Sequence, residues 1–238
     1  MGVLLFKGMK CGFLEGDFSL FIDDDGKLQS KCILSTSYNV IPVWLRIAYD
    51  NLCLARTASE KIQKEWCEDS EIQKKLLISE LTPSIQVFVS CGIVLDATYD
   101  QFKKFSKISN EEFLAWKKNG TKRAAQIFEV IKRVFKLKGE YEKAFQKNIT
   151  SIIDYRNDIV HPSHRIRQSC TRPDIPVGID WRFSAYRYFN AEICYMRTME
   201  MLSFLYQTKS GISAVDEEMG NIFEALQELG LANITKQD

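Results

Sequence analysis

The chain has 238 residues, with 32 Lys plus Arg against 31 Asp plus Glu, 45% hydrophobic residues and only five prolines. That length suits one large domain, or a core domain with a small appendage, and the composition is far from the polar, charge-dominated sequences that stay unfolded. A net charge of +1 excludes a protein that coats nucleic acid through a strongly basic global field and leaves room for a local basic site.

At the N-terminus only Val3 to Phe6 is apolar before Lys7, too short for a signal-peptide core. Phe6 stands where N-myristoylation needs Ser or Thr. The longest apolar stretch, Ile85 to Leu95, contains Gln86, Ser90 and Gly92 and falls short of a membrane span. The seven cysteines are odd in number, scattered, and form no C-x-x-C pair. Together these features predict a soluble cytoplasmic protein without membrane association, most of its cysteines acting as small core residues.

Residues 1–40 differ in texture from the rest. Phe18 to Ile22 and Leu28 to Leu34 flank Asp23-Asp24-Asp25-Gly26-Lys27, and Asp-Gly between short apolar runs signals a β-hairpin. A calcium loop with Gly26 as its sixth residue would need an acidic ligand where Phe21 stands, so the aspartates read as a polar turn. Gly8, Gly12 and Gly16 lack the strand-to-helix context of a phosphate loop.

From Pro42 the apolar spacing turns helical, which assigns residues 41–238 to one mainly α domain, a helical bundle. Trp44, Ile47, Ala48, Leu52 and Ala55 share one face of the first helix. A second helix is predicted from Glu71 to about Phe105, bent near Thr82-Pro83. Thr121 to Leu137 follows, with Ala124, Ile127, Phe128, Ile131, Val134 and Phe135 inward and Lys122, Arg123, Lys132, Arg133 and Lys136 mostly opposite. That basic face reads as a solvated surface, with nucleic-acid contact left open. The next helix runs from Glu140 to Val160 and ends where Pro162 disfavours α geometry at His161. Residues 162–183, with Pro173, Pro176 and Gly178, read as a long functional loop. Ser184 is the expected N-cap of a helix reaching Lys209, and a last helix is expected from Ser213, supported by Asp216, to Gly230.

Both histidines of the chain fall in His161-Pro162-Ser163-His164, just after Arg156-Asn157-Asp158. An imidazole moves protons near neutral pH and a guanidinium forks onto phosphate, so the two together at a helix end suit phosphodiester cleavage. Asn157 and His161 are four residues apart on one helical face, and Arg156 is placed to reach round to the same anion. No G-x-S-x-G or H-E-x-x-H motif is present, and Pro162 breaks the helix between the two histidines, which argues against a metal pair. The plainer alternative has Arg156 paired with Asp154 or Asp158 and His161 capping its own helix.

The run Arg156-Asn157-Asp158-Ile159-Val160-His161 resembles the Arg-x(4 to 6)-His motif of HEPN domains, including the polar residue directly after the arginine. The resemblance spans roughly Ile41 to Ala232 and implies an all-α HEPN-like bundle with the motif at the end of its third main helix. It implies a metal-independent endoribonuclease needing no cofactor, working as a homodimer whose two motifs form one cleft, often in phage defence or toxin systems beside an antitoxin or regulatory protein. On these positions Arg156 would bind the scissile phosphate of an RNA substrate, His161 would serve as general base or acid for attack by the ribose 2′-hydroxyl, and Asn157 would orient either group. His164, Arg165 and Arg167 are weaker candidates for substrate binding within an arginine-rich stretch that also holds Arg172, Arg182 and Arg187. Ser163 stands where some HEPN toxins carry a modified tyrosine, a departure that counts against regulation by that route. The alternative within the same resemblance is a non-catalytic module for dimerisation or for binding RNA or another ligand.

Overall fold

The computed structural model describes residues 4–161 and 166–231. The chain is mostly helical, with a few small antiparallel strand pairs.

The hairpin expected from Asp-Gly is present: β2 (Phe18–Ile22) pairs with β3 (Leu28–Cys32), Phe18 opposite Cys32 and Ile22 opposite Leu28. Its turn is closed by the Asp23 carboxylate, which accepts from the N–H groups of Asp25 and Lys27, while Gly26 takes φ +77°. A second pair, β1 (Met9–Gly12) with β4 (Ser35–Tyr38), was not legible, because MKCG and STSY are four residues each and hold too few apolar side chains to signal a strand. Asp17 joins the two ladders: its carboxylate accepts from the Leu14 N–H and the Ser35 hydroxyl, and its carbonyl from the Ile33 N–H. The base of this ribbon lies on the last helix, α8 (Ser213–Glu228). Gly8, at φ +78°, comes so close that a Cβ would sit 2.8 Å from the Ala225 side chain, and Lys10 and Asn39 both bind Glu218.

The helices follow from the 3.6 period. In α1 (Ile41–Glu65) Ile41, Leu45, Ala48, Leu52, Ala55, Ala58 and Ile62 are buried at three- and four-residue steps, and the Asn39 side-chain Oδ1 accepts from the first helical N–H. α2 (Ser70–Phe102) begins at an Asp69 cap and continues through Pro83. It meets α1 and three later helices, Arg123–Phe135, Gly139–Val160 and Tyr188–Thr208, so it is apolar on nearly every side. By length and composition it would pass for a membrane span, yet 56% of its most apolar window is buried in the protein. A 3-10 turn, Lys103–Phe105, leads to α3 (Asn110–Lys118), a helix the sequence reading did not place. Its signal was there: Ser109 and Glu112 form a reciprocal capping box. α4 (Arg123–Phe135) buries Ile127, Ile131 and Val134, each worth about 1.5–3 kcal/mol, and stops at Lys136 in the left-handed region. α5 (Gly139–Val160) packs Phe145, Ile149, Ile152 and Ile153 inward.

The stretch expected to be a loop up to Phe183 holds more structure than that. β5 (Cys170–Arg172) and β6 (Ile175–Ile179) form a hairpin around Pro173-Asp174, and α6 (Trp181–Ala185) follows from an Asp180 cap. Prolines and a glycine read as loop breakers, but Pro173 sits in the turn and Pro176 is exposed in a two-stranded sheet whose strands are both edges. What orders the hairpin is remote in sequence. Ile175 and Ile179 pack on Ile62, Leu76 and Leu77, and the buried Arg172 forks onto Glu80 of α2 (Nη1 to Oε2, 2.6 Å) and onto Asp174 (Nη2 to Oδ2, 2.6 Å). Glu80 also accepts from the Tyr188 N–H at 2.9 Å. α7 (Tyr188–Thr208) therefore starts at Tyr188, later than the expected cap at Ser184. Asp216 likewise turns back to accept from the N–H and hydroxyl of Ser210 and from the Gly211 N–H, so it fastens the loop before α8 and leaves the cap position to Ile212.

Candidate functional site

The last turns of α5 carry the three principal candidates. Ile152, Ile153 and Ile159 hold the helix against the core, which brings Arg156 onto the surface of α2. There it lies flat across Gly92: a Cβ on that residue would come within 2.9 Å of the Arg156 Cγ. One turn along α2, Asp96 takes the Arg156 Nη2, and its other oxygen accepts from the Arg123 Nε at 2.6 Å. Arg123 in turn stacks over the Tyr99 ring, 3.8 Å from its centroid. Asp96 thus faces two guanidinium groups, and Asp100 adds a second carboxylate 3.7 Å from the Arg123 Nη2, so the cluster is balanced in charge. Arg156 pairs with Asp96 across the helices, where the sequence offered Asp154 or Asp158 as its plain partners.

Asn157 is joined to Arg156, its side-chain oxygen accepting from Nη1 at 2.9 Å. Two contacts on separate nitrogens, Asp96 and Asn157, therefore set the guanidinium plane. His161 is the C-terminal cap of α5; its N–H donates to the Asn157 carbonyl at 2.8 Å and its side chain is exposed. His161 follows Arg156 by five residues, which is about 7 Å along the axis and well off to one side around the helix. The fold brings Arg156 and Asn157 into contact and leaves His161 exposed at the same helix end.

Of the weaker candidates, His164 and Arg165 lie outside the described residues. Arg167 is exposed and stacks on Trp181, its Cζ 4.1 Å from the ring centroid, with Arg182 over the same ring at 5.1 Å. The arginine-rich stretch divides in the fold. Arg172 is buried with all its donors occupied and cannot reach an RNA backbone, and Arg182 is bound to Asp180. The basic residues of α4 are largely paired: Lys132 with Glu142, Arg133 with Glu112 and Glu129, Arg123 with Asp96. Among the described residues no group of three or more His, Cys, Asp or Glu is arranged to hold a metal.

Sequence reasoning missed Asp96 and Gly92. Both lie in an apolar helix, and the only local hint was a glycine and an acid four residues apart on a face otherwise built for the core. Compared with known proteins, the chain matches no family model, no curated protein and no solved structure.

Proposed function

We propose that this protein is a metal-independent endoribonuclease of the HEPN type, acting as a homodimer on RNA. The observation that carries the reading is the exposed His161 at the end of α5, in the same last turns as an arginine whose guanidinium plane is fixed by Asn157 and Asp96. In this reading His161 takes the proton from a ribose 2′-hydroxyl as the oxygen attacks the adjacent phosphorus, and the second protomer's copy of the same residue protonates the leaving 5′-oxygen. Arg156, held in place before substrate arrives, meets the negative charge that builds on the phosphorane. Arg123 has a second carboxylate in Asp100, so a phosphate approaching Arg156 draws its guanidinium away from an Asp96 that stays paired with Arg123. The HEPN-like bundle, the composite cleft, a cytoplasmic setting in phage defence or a toxin system, and an antitoxin or regulatory partner belong to this same proposal. A 2′-hydroxyl nucleophile makes DNA a poor substrate.

The test is incubation of the purified protein with a mixed RNA pool in chelator-containing buffer, with mapping of the ends for 2′,3′-cyclic phosphate. His161→Ala is expected to abolish cleavage while leaving folding and the dimer unchanged, and Arg156→Ala to abolish it as well. A monomer at micromolar concentration in light scattering contradicts the composite site.

One observation favours a second reading, a non-catalytic dimerisation or ligand-binding module. Arg156 packs on Gly92 and is bound by Asp96, as a residue serving the fold would be. On that reading the native dimer cuts no RNA, and Arg156→Ala lowers stability or disturbs assembly while His161→Ala changes neither.

A further inference from the structure

Ten of the eleven arginines lie among the described residues, and seven of them pair with a carboxylate. Arg167 and Arg187 instead stack on Trp181 and Phe189. Arg197 of α7 is different: it is half-buried, and among the described residues neither a carboxylate nor an aromatic ring engages it. A guanidinium carries five N–H donors and keeps its charge at any physiological pH, so a half-buried one without a partner is an unspent anion site.

Arg197 lines a cavity of about 220 Å³ between α5 and α7, floored by Phe88 of α2. The other polar groups on its wall are Ser151 and Tyr155 of α5 and Asn190 of α7. Asn190 gives its amide N–H groups to the carbonyls of Ser184 and Ala185, at 3.2 and 3.0 Å, which leaves its side-chain oxygen to accept from an occupant. Arg197 and Asn190 are seven residues apart on one face of α7, which is about 10 Å along the axis. The cavity thus offers a cation and hydroxyl donors for an oxyanion and, two helical turns away, an acceptor for a hydroxyl. Its volume corresponds to about seven waters and is below that of the usual drug-sized pocket.

We propose that the α5–α7 cavity binds a phosphorylated sugar, with its phosphoryl oxygens forked by Arg197 and met by Ser151, and a sugar hydroxyl donating to the Asn190 side-chain oxygen. The phosphoryl group, free or esterified, is the shared chemistry: its carrier is a small sugar phosphate or the ribose-phosphate backbone of an RNA strand. The site stands apart from the chemistry assigned to His161 and does not depend on it.

The experiment is calorimetric titration of the full chain with ribose 5-phosphate and with ribose. Saturable binding is expected for the phosphate, and ribose should bind at least tenfold more weakly. Arg197→Met, which keeps the apolar stem, should weaken ribose 5-phosphate at least tenfold. Ser151→Asp, which places a carboxylate beside the guanidinium, should abolish binding and serves should the first variant fail to fold. Competition by a short unmodified RNA, measured on His161→Ala protein so that the strand is not cut, assigns the site to a strand, and its failure assigns it to a free sugar phosphate; both results uphold the site. Equal affinities for ribose 5-phosphate and ribose, or undiminished binding by folded Arg197→Met or Ser151→Asp protein, overturns it. The same titration on His161→Ala protein should be unchanged, which separates this site from the cleavage reading.

Discussion

Replacing Arg172 by Met tests the buried clamp that fastens the β5–β6 hairpin and the start of α7 to α2. The Arg172 and Glu80 side chains are 1% and 2% exposed. All five guanidinium N–H groups have acceptors: Asp174 through Nε and Nη2, Glu80 through Nη1 and Nη2, and the Phe183 carbonyl through Nη1. Met keeps the apolar volume and removes the charge, so Glu80 stays buried with the Tyr188 N–H as its one remaining donor among these contacts. Breaking a buried pair from one side costs about 3–5 kcal/mol, a large part of the 5–15 kcal/mol that usually holds a domain together. With a urea slope near 3 kcal/mol per molar for a chain of this size, the unfolding midpoint should fall by about 1 M or more. The companion variant Glu80→Gln neutralises the orphan while keeping an acceptor for Tyr188. The double variant Arg172→Met/Glu80→Gln should therefore be more stable than the sum of the single losses predicts, by about 2 kcal/mol. A cost below about 1 kcal/mol for Arg172→Met, or strictly additive losses, would refute a charge-paired clamp and leave Arg172 a mere space-filler.

Three further outcomes follow from the same contacts. Gly92→Ala should gain about 1 kcal/mol of helix propensity but lose about 1–3 kcal/mol to the Arg156 stem, so its melting temperature should not rise, and on the proposed nuclease function the displaced guanidinium should also lower RNA cleavage; a variant of higher stability would show that the close approach is slack. The Arg172 guanidinium holds the Asp174 carboxyl below the usual carboxylate range. Burial pushes Asp216 up, but the Ser210 and Gly211 donors outweigh it and leave it lowered as well. Both folded values lie below the unfolded ones, so their stabilisation is present above about pH 4 and is lost as pH falls through the folded values; urea midpoints from pH 6 to pH 2.5 should drop, and Asp174→Asn should flatten that limb. Lys136 ends α4 at φ +55°, and Lys136→Gly should raise stability by about 0.5–1 kcal/mol in thermal unfolding; an unchanged or lower melting temperature would refute backbone strain at this cap.

Local chemistry was legible in the sequence wherever a few adjacent residues settle the outcome. The Asp-Gly turn, the three-four spacing of Ile127, Ile131 and Val134, and the helix stop at His161 each act within one or two turns of chain, and each appears where expected. The Ser109 to Glu112 capping box belonged to the same class and was simply overlooked. Tertiary contacts decided the rest. The β5–β6 hairpin and the start of α7 answer to Glu80, about ninety residues earlier in the chain, whose buried charge has to be met by Arg172 and the Tyr188 N–H.

The candidate site divides in the same way. The sequence could put Arg156, Asn157 and His161 at one helix end because helical spacing alone does that. Only packing against α2 decided that Arg156 lies on Gly92 and shares Asp96 with Arg123, since those partners come from other helices. The near-neutral balance of charge follows the same logic: composition fixed the totals of Lys plus Arg and Asp plus Glu, while the fold decided which arginines are neutralised and left Arg197 facing a cavity. A charge count is additive along a chain, whereas pairing depends on which side chains folding brings within a few ångströms.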